Sequence, residues 1–196
     1  MTGPALADCA PAKLVRMVTS LVALGEPADF RHKPKVQYRL GNGRTRLEEQ
    51  PDPEEGVHLL LITDAPMAWT IDLVSKSGTV QRDTDVPSVV RAPIFSEDEV
   101  PKEIQQVEFG CEAEFIASPG TSHSVQVTSR GTVLKHSIVS GKWKLTLGVS
   151  EDSGVPKLVL LLKDGKTVAA IRYHSYEILE QVPEGLFAPP AGIAIQ

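Results

Sequence analysis

The stretch KVQYRLGNGRTRLEE, residues 35–49, decides the fold. In its first half Val36, Tyr38 and Leu40 alternate with polar residues, which is the two-residue period of a strand with one buried face. Asn42-Gly43 follows, and this dipeptide favours a type I′ hairpin turn because both central residues of that turn need positive φ. The rest of the stretch, residues 44–49, is predicted to be a second extended segment. We therefore predict a β-hairpin and, with it, an antiparallel sheet.

Similar segments recur along most of the chain. Short apolar or alternating runs are separated by turn signals, and the connections are too short for a helical crossover, so the strands must pair antiparallel. With the hairpin they make about ten strands; the others are predicted at 57–63, 67–73, 79–82, 108–117, 124–128, 132–139, 143–149, 156–163 and 167–179. No linker divides the chain, so we expect one domain over residues 1–196, with 1–10 as a flexible tail.

Two segments carry helical signals. In residues 11–24 the apolar positions recur at helical spacing, followed by Gly25 and Pro27 as a stop; these positions are Leu14, Met17, Val18 and Leu21. In residues 96–107, Ser96 can cap a short helix; its apolar face would be Val100, Ile104 and Val107. The expected class is α+β, mainly β: a strongly curved antiparallel sheet, or half β-barrel, covered by one or two helices.

Composition excludes several classes of protein. The 196 residues carry 20 Lys and Arg against 25 Asp and Glu, a net charge of −5. No basic excess is available to neutralise phosphates, so nucleic acid is not an expected partner. No run approaches 18 apolar residues, so no transmembrane helix is predicted, and no secretory signal is visible. The 15 Pro and 15 Gly fit many short strands joined by turns.

We find no motif for catalysis, a cofactor or a metal. GxSxG is absent, no glycine loop opens a helix, and the five histidines form no HExxH or HxH. His123 and His136 fall on separate predicted strands and are expected to be ordinary surface or half-buried side chains. The prediction is therefore a protein without enzymatic activity, cofactor or metal. Cys9 and Cys111 are expected to be free or inert thiols, with one disulfide as the alternative.

Charge is unevenly distributed around the hairpin. Residues 31–46 hold six Lys and Arg and no acid, and residues 48–55 hold five acids and no base. Two interpretations stay open. The charges can pair between neighbouring hairpin arms, or Arg44 and Arg46 can steer and dock a charged partner.

Several stretches together resemble one family in the order of their elements. They are the Arg-apolar-acidic run 43–48, the Asp-containing turn after 61–63, the Trp-bearing strand 69–72, the turns at 154–156 and 163–166, and the ending 173–192 with its Phe-x-x-Pro segment. The chain resembles the bacterial lipoprotein-carrier superfamily, the LolA-like half β-barrels that include lipid- and lipoprotein-binding periplasmic proteins.

This resemblance implies a non-enzymatic carrier of the cell envelope that binds a lipid or the acyl chain of a lipoprotein, as in transport and sorting of outer-membrane lipoproteins. It implies a periplasmic location and an envelope protein as a further partner. The alternatives are a cytoplasmic location and a protein-interaction or sensor domain that docks its partner through charged segments.

A concave apolar face would bind the ligand. The side chains that could form it each lie on one face of a predicted strand; they are Val36, Tyr38, Leu40, Leu59, Leu61, Trp69, Ile71 and Leu73. From the sequence alone this face is either a filled core or an open cavity.

Overall fold

A computed structural model describes residues 9–24, 32–82, 91–92, 100–101, 104, 107–129 and 131–196. The described residues form one large sheet whose strands are β1 (Leu14–Leu21), β2 (Lys35–Leu40), β3 (Arg44–Glu48), β4 (Leu59–Asp64), β5 (Met67–Asp72), β6 (Ser77–Arg82), β9 (Ser122–Thr128), β10 (Gly131–Ser140), β11 (Trp143–Ser150), β12 (Pro156–Lys163), β13 (Lys166–Leu179) and β14 (Ala194–Ile195). Two short strands, β7 (Arg91–Ala92) and β8 (Val107–Glu108), pair separately, and α1 (Glu112–Ala117) is the one α-helix in the described part.

The twelve described strands of the large sheet lie in the order β14-β6-β5-β4-β3-β2-β1-β13-β12-β11-β10-β9. Neighbours are antiparallel except β14, which runs parallel to β6. The predicted mainly-β class with a large antiparallel sheet is confirmed, whereas the strong curvature predicted for this sheet is not. Of the predicted cover of one or two helices, the described residues contain the short α1.

The sheet has two hydrophobic cores, and they lie on opposite faces. Core 1 covers one face of β1 and β10–β13, and core 2 covers the other face of β1–β5. Residues paired across neighbouring strands share a face. Met17 pairs with Tyr176 in core 1, whereas Leu14, three residues earlier, pairs with Leu179 in core 2.

Strand β1 has buried apolar residues on both faces. Leu14 is 1% exposed in core 2, and Val15 and Met17 are 3% and 0% exposed in core 1. Apolar residues on both faces of a strand obscure the two-residue alternation. The periodicity of the sequence then cannot distinguish a short strand from a buried helix. The predicted helix over residues 11–24 is therefore wrong, because Leu14–Leu21 is a strand between β2 and β13.

The segment after β8 also differs from its prediction. The predicted strand over residues 108–117 is wrong beyond Glu108, because the chain turns at Gly110 and forms α1. Glu112 and Phe115 are three residues apart, share one face of this helix and are both buried. A helix lets this short segment cover core 1, which lies on a face of the sheet and not at an edge where a further strand could pair.

Part of the predicted helix over residues 96–107 can be compared with the structure. Val100, Ile104 and Val107, its predicted apolar face, are all buried in core 1. Ser96 and most of the remaining positions lie outside the described residues.

The hairpin of residues 35–49 is confirmed, but its turn is not of type I′. Leu40 pairs with Arg44, so the loop has three residues, and positive φ occurs at Gly41 (+61°) instead of Asn42 and Gly43. The loop packs against the β4–β5 turn, where the Ala65 N–H donates to the Gly43 carbonyl at 2.8 Å. A Cβ at Gly43 would lie 3.0 Å from the Ala65 Cβ, so a larger residue here would push the two turns slightly apart.

Cys9 and Cys111 form a disulfide, so the expectation of two free thiols is wrong. Their Cα atoms are 6.1 Å apart, and the bond links positions 102 residues apart in the chain. It joins the residues before β1 to the N-terminus of α1. Of the predicted tail over residues 1–10, Cys9 is thus anchored, and residues 1–8 lie outside the described part.

Core 2 is covered by the C-terminal segment, residues 183–196. Phe187 is buried there in one cluster with Leu14, Leu60 and Ile71, and Leu186 and Ile193 pack against this cluster. The segment then ends as β14 beside β6.

We expect the disulfide to stabilise the fold. Replacing both Cys9 and Cys111 with Ala should lower the free energy of unfolding by about 2–5 kcal/mol, because the cross-link restricts a long loop of the unfolded chain. Urea unfolding followed by circular dichroism measures this change. Reductant should destabilise the wild-type chain and leave the double variant unaffected; an unchanged wild-type midpoint in reductant would contradict the expectation.

Phe187→Ala should destabilise the protein by about 3–5 kcal/mol, because it leaves a cavity in core 2 under the C-terminal segment. The matched control is Val182→Ala, a truncation at an exposed neighbouring position that should change stability by no more than about 0.5 kcal/mol. The same urea titration compares the two. Equal, small effects would mean that the C-terminal segment does not close core 2.

Candidate functional site

The predicted apolar face is largely brought together, with a correction in β4. Tyr38, Arg46, Ile62 and Trp69 form one row of paired residues across β2–β5, so they share a face. Leu59 and Leu61 lie on the opposite face, and their predicted membership is wrong. The buried residues of β4 on this face are instead Leu60 and Ile62. Residues 59–62 are all apolar, so alternation could not choose between the two registers.

Most of this face is filled by core 2. Ile71 is buried in it, and Leu40, Trp69 and Leu73 are packed against the same cluster, which includes Phe187 and Leu186 of the C-terminal segment. In this region the apolar face is therefore packed core.

The face opens where the C-terminal segment meets β1–β3. An open groove of about 430 Å³ lies there, within the size range of small-molecule sites. Val36 and Tyr38 contribute apolar surface to it from β2. The remaining lining residues are Arg16, Arg46, Glu48 and residues 183–186.

Two arginines flank Tyr38 in the groove, each from a neighbouring strand. Arg16 of β1 pairs with Tyr38 on one side, and Arg46 of β3 pairs with Tyr38 on the other. The Arg16 Nε donates to the Tyr38 hydroxyl at 3.3 Å, and its Nη1 donates to Glu177 at 2.9 Å. The hydrogen bond with Tyr38 raises the pKa of Arg16, so this guanidinium stays charged.

The two arginines predicted to dock a partner have different surroundings. The Arg46 Nη1 donates to the Leu186 carbonyl at 3.2 Å, and its Nη2 donates to Glu48 at 3.2 Å, so Arg46 is engaged inside the groove. The Arg44 side chain is 51% exposed and pairs with Asp64 at 3.0 Å. The structure thus brings Val36, Tyr38 and Arg46 together and leaves Arg44 at the surface of the hairpin.

A buried arginine lies on the other face of β2, and its burial was not predicted from the sequence. Arg39 is 3% exposed and donates to the Cys9 carbonyl at 2.7 Å and the Phe109 carbonyl at 2.9 Å. It also forms an ion pair with Glu108 at 3.3 Å. The alternation of apolar and polar residues in β2 predicts a solvent-exposed face for Arg39. The residue is buried because the α1 segment, defined as residues 107–117, packs over β2.

Glu112 was missed for the same reason, because it belongs to α1, where a strand was predicted. Its Oε1 accepts hydrogen bonds from the Tyr173 hydroxyl at 2.8 Å and from the Gly110 N–H at 3.1 Å. Its Oε2 is buried with no hydrogen-bond partner of normal geometry among the described residues. Burial, and then the Glu112 carboxylate, raise the pKa of Tyr176.

Burial also raises the pKa of Glu112 itself, against the opposing effect of its hydrogen bond with Tyr173. The carboxyl group is enclosed in core 1 beneath α1 and does not face the groove. Its effect is therefore on the stability of this core and on the pH at which that stability changes.

No model of a known protein family matches the chain, and no characterised protein matches it in sequence. Solved structures do match. An uncharacterised conserved protein from Thermus thermophilus is 9% identical with a TM-score of 0.51, and the match covers 94% of this chain and 90% of that protein. At this identity the likeness shows a shared fold.

Two further structures are similar over part of their own length. MucB, in a complex with MucA(peri), is 9% identical with a TM-score of 0.47, and the match covers 97% of this chain and 59% of MucB. PNGF-II is 6% identical with a TM-score of 0.38, and the match covers 94% of this chain and 31% of PNGF-II.

In the described part of this chain, no helix has the length and apolar character needed to cross a bilayer.

We expect Glu112→Gln to make the protein more stable at neutral pH. A carboxyl group whose pKa is raised by folding binds its proton more tightly in the native state, so stability falls as pH rises above the ordinary Glu pKa of about 4.3. The variant should lose this part of the pH dependence and match the wild type at low pH. Urea unfolding from pH 4 to pH 8 measures it.

Glu114→Gln is the matched control, since Glu114 is exposed on the same helix. It should leave the slope of stability against pH close to that of the wild type. If both variants change the slope equally, the Glu112 carboxyl is not the group responsible.

Proposed function

We propose that this protein is a non-enzymatic binding protein that holds the acyl chain of a lipid or lipoprotein in the groove between β1–β3 and the C-terminal segment. The observation that carries the proposal is the groove of about 430 Å³ beside core 2, with apolar surface from Val36 and Tyr38. The resemblance to the lipoprotein-carrier superfamily supports the same ligand class.

The groove suits a ligand that is apolar at one end and polar at the other. Val36, the Tyr38 ring and Leu186 offer apolar contact. Arg16, Arg46 and Glu48 at the same opening offer charge and hydrogen bonds to a headgroup. The acyl chain would extend toward core 2, where Leu186 and Phe187 of the C-terminal segment now pack.

We further propose that the protein works outside the cytoplasm, in the cell envelope. The disulfide between Cys9 and Cys111 supports this location, because disulfides form and persist in oxidising compartments and are rare in the cytosol.

A displacement titration with a fluorescent fatty acid tests the proposal. Saturated fatty acids of increasing length should compete more strongly, with affinity rising up to about fourfold for each added CH₂, which corresponds to about 0.8 kcal/mol. Native mass spectrometry of gently purified protein should show a co-purified lipid. No probe binding, or affinity independent of chain length, would contradict the proposal.

Val36→Lys places a charge in the groove and should weaken probe binding at least about tenfold, since an acyl chain cannot solvate it. Val139→Lys is the matched control, because Val139 is 63% exposed on β10, at the other end of the sheet. Both variants are first checked for folding by circular dichroism. Equal loss in both would place the probe outside the groove.

The second candidate function is a protein-interaction domain, and the exposure of Arg44 favours it. Binding through this charge should weaken as salt rises, because exposed charges are screened, whereas acyl-chain capture should not weaken. Arg44→Glu should leave fatty-acid binding unchanged. Fatty-acid binding that disappears in high salt or in this variant would contradict acyl-chain capture in the groove.

A further inference from the structure

Strands β9 and β10 bring two histidines into contact at the end of the sheet far from the groove. His123 and His136 lie directly opposite each other in the register of these strands. Their Nδ1 atoms are 2.8 Å apart, and their ring planes cross at 79°. Imidazole nitrogens are the commonest metal ligands in proteins, so a contact between two of them is a candidate metal site.

The two rings are held in place by structure on either side. His136 is 8% exposed and pairs with the buried Leu147 of β11, at the margin of core 1. The backbone beside His123 is fixed where Ser122 Oγ donates to the Ser137 carbonyl at 3.1 Å. Both ligands therefore stand on paired strands, which hold a metal site more firmly than loops do.

The distance between the nitrogens can be compared with the distances that two coordination geometries would require. Two nitrogens bound to a metal at about 2.0 Å lie about 2.8 Å apart in adjacent positions of a square-planar or octahedral ion, and about 3.3 Å apart in a tetrahedral one. The observed separation of 2.8 Å is that of a hydrogen bond between the two rings, and adjacent square-planar positions would hold the nitrogens at about the same distance. That geometry is typical of Cu²⁺, which also binds nitrogen ligands most tightly among divalent first-row metals.

We propose that His123 and His136 form a Cu²⁺-binding site in which both Nδ1 atoms bind the ion. The described residues contain no cluster of three potential ligands, so water would occupy the remaining positions. Both imidazoles bind as neutral rings with their protons on Nε2. The proton that joins the two Nδ1 atoms in the free protein moves to Nε2 of its own ring, so no net proton is released.

Calorimetric titration of the full chain with Cu²⁺, together with electron paramagnetic resonance, tests the site. We expect one tightly bound ion per chain with hyperfine coupling to two imidazole nitrogens. His123→Asn and His136→Gln should each weaken binding at least about tenfold, because changes to groups that only support a metal ligand already cost about 10–100-fold. His174→Asn is the matched control, an exposed histidine on β13 that contacts Ser20 and should bind Cu²⁺ as the wild type does.

Thermal unfolding gives a second readout that does not depend on counting sites. Cu²⁺ should raise the Tm of the wild type and of His174→Asn and leave that of His123→Asn unchanged, because an ion that binds the folded state stabilises it. If His136→Gln fails to fold, the variant His123→Asn, which changes an exposed position, is sufficient for the test. Cu²⁺ binding that survives in His123→Asn, or one that falls equally in His174→Asn, would overturn the proposal and assign the ion to another group.

Discussion

Strand β1 must satisfy two hydrophobic cores at once, and the rest of the architecture depends on it. Successive side chains of a strand point to opposite faces, so Leu14 enters core 2 while Val15 and Met17 enter core 1. Its neighbours come from distant parts of the chain, β2 on one side and β13 on the other. A polar substitution on either face would therefore remove one core from the strand that joins the two halves of the sheet.

Each core needs a cover from outside the sheet, and the two covers are attached differently. The α1 segment lies over core 1 and is tied by the disulfide to the residues before β1. The C-terminal segment lies over core 2 and is held by the packing of Phe187 and by the Arg46 hydrogen bond to Leu186. The groove lies where this second cover meets β1–β3, so its shape depends on residues 183–186.

Polar groups enclosed under the α1 segment set its position. Arg39 donates to carbonyls of Cys9 and Phe109, and so connects β2 with both ends of the disulfide-linked region. Gly110 lies close above it: an added Cβ would meet the Arg39 Cδ at 3.3 Å, and the φ of Gly110 is +88°. Buried polar groups must find partners inside the protein, so Arg39 and Glu112 specify how the segment lies, although burial of the Glu112 carboxylate lowers stability at neutral pH.

The sequence by itself determined the strands that alternate, because their pattern needs one buried face: the hairpin of residues 35–49, and β5, β10 and β11, are placed within a few residues. It left undecided what depends on both faces or on distant partners. The apolar spacing in β1 resembled that of a helix, residues 59–62 allowed two registers, and α1 was predicted as a strand. Only the tertiary structure brought Cys9 to Cys111 and His123 to His136, since contact between distant residues follows from strand order and register, which local periodicity does not contain.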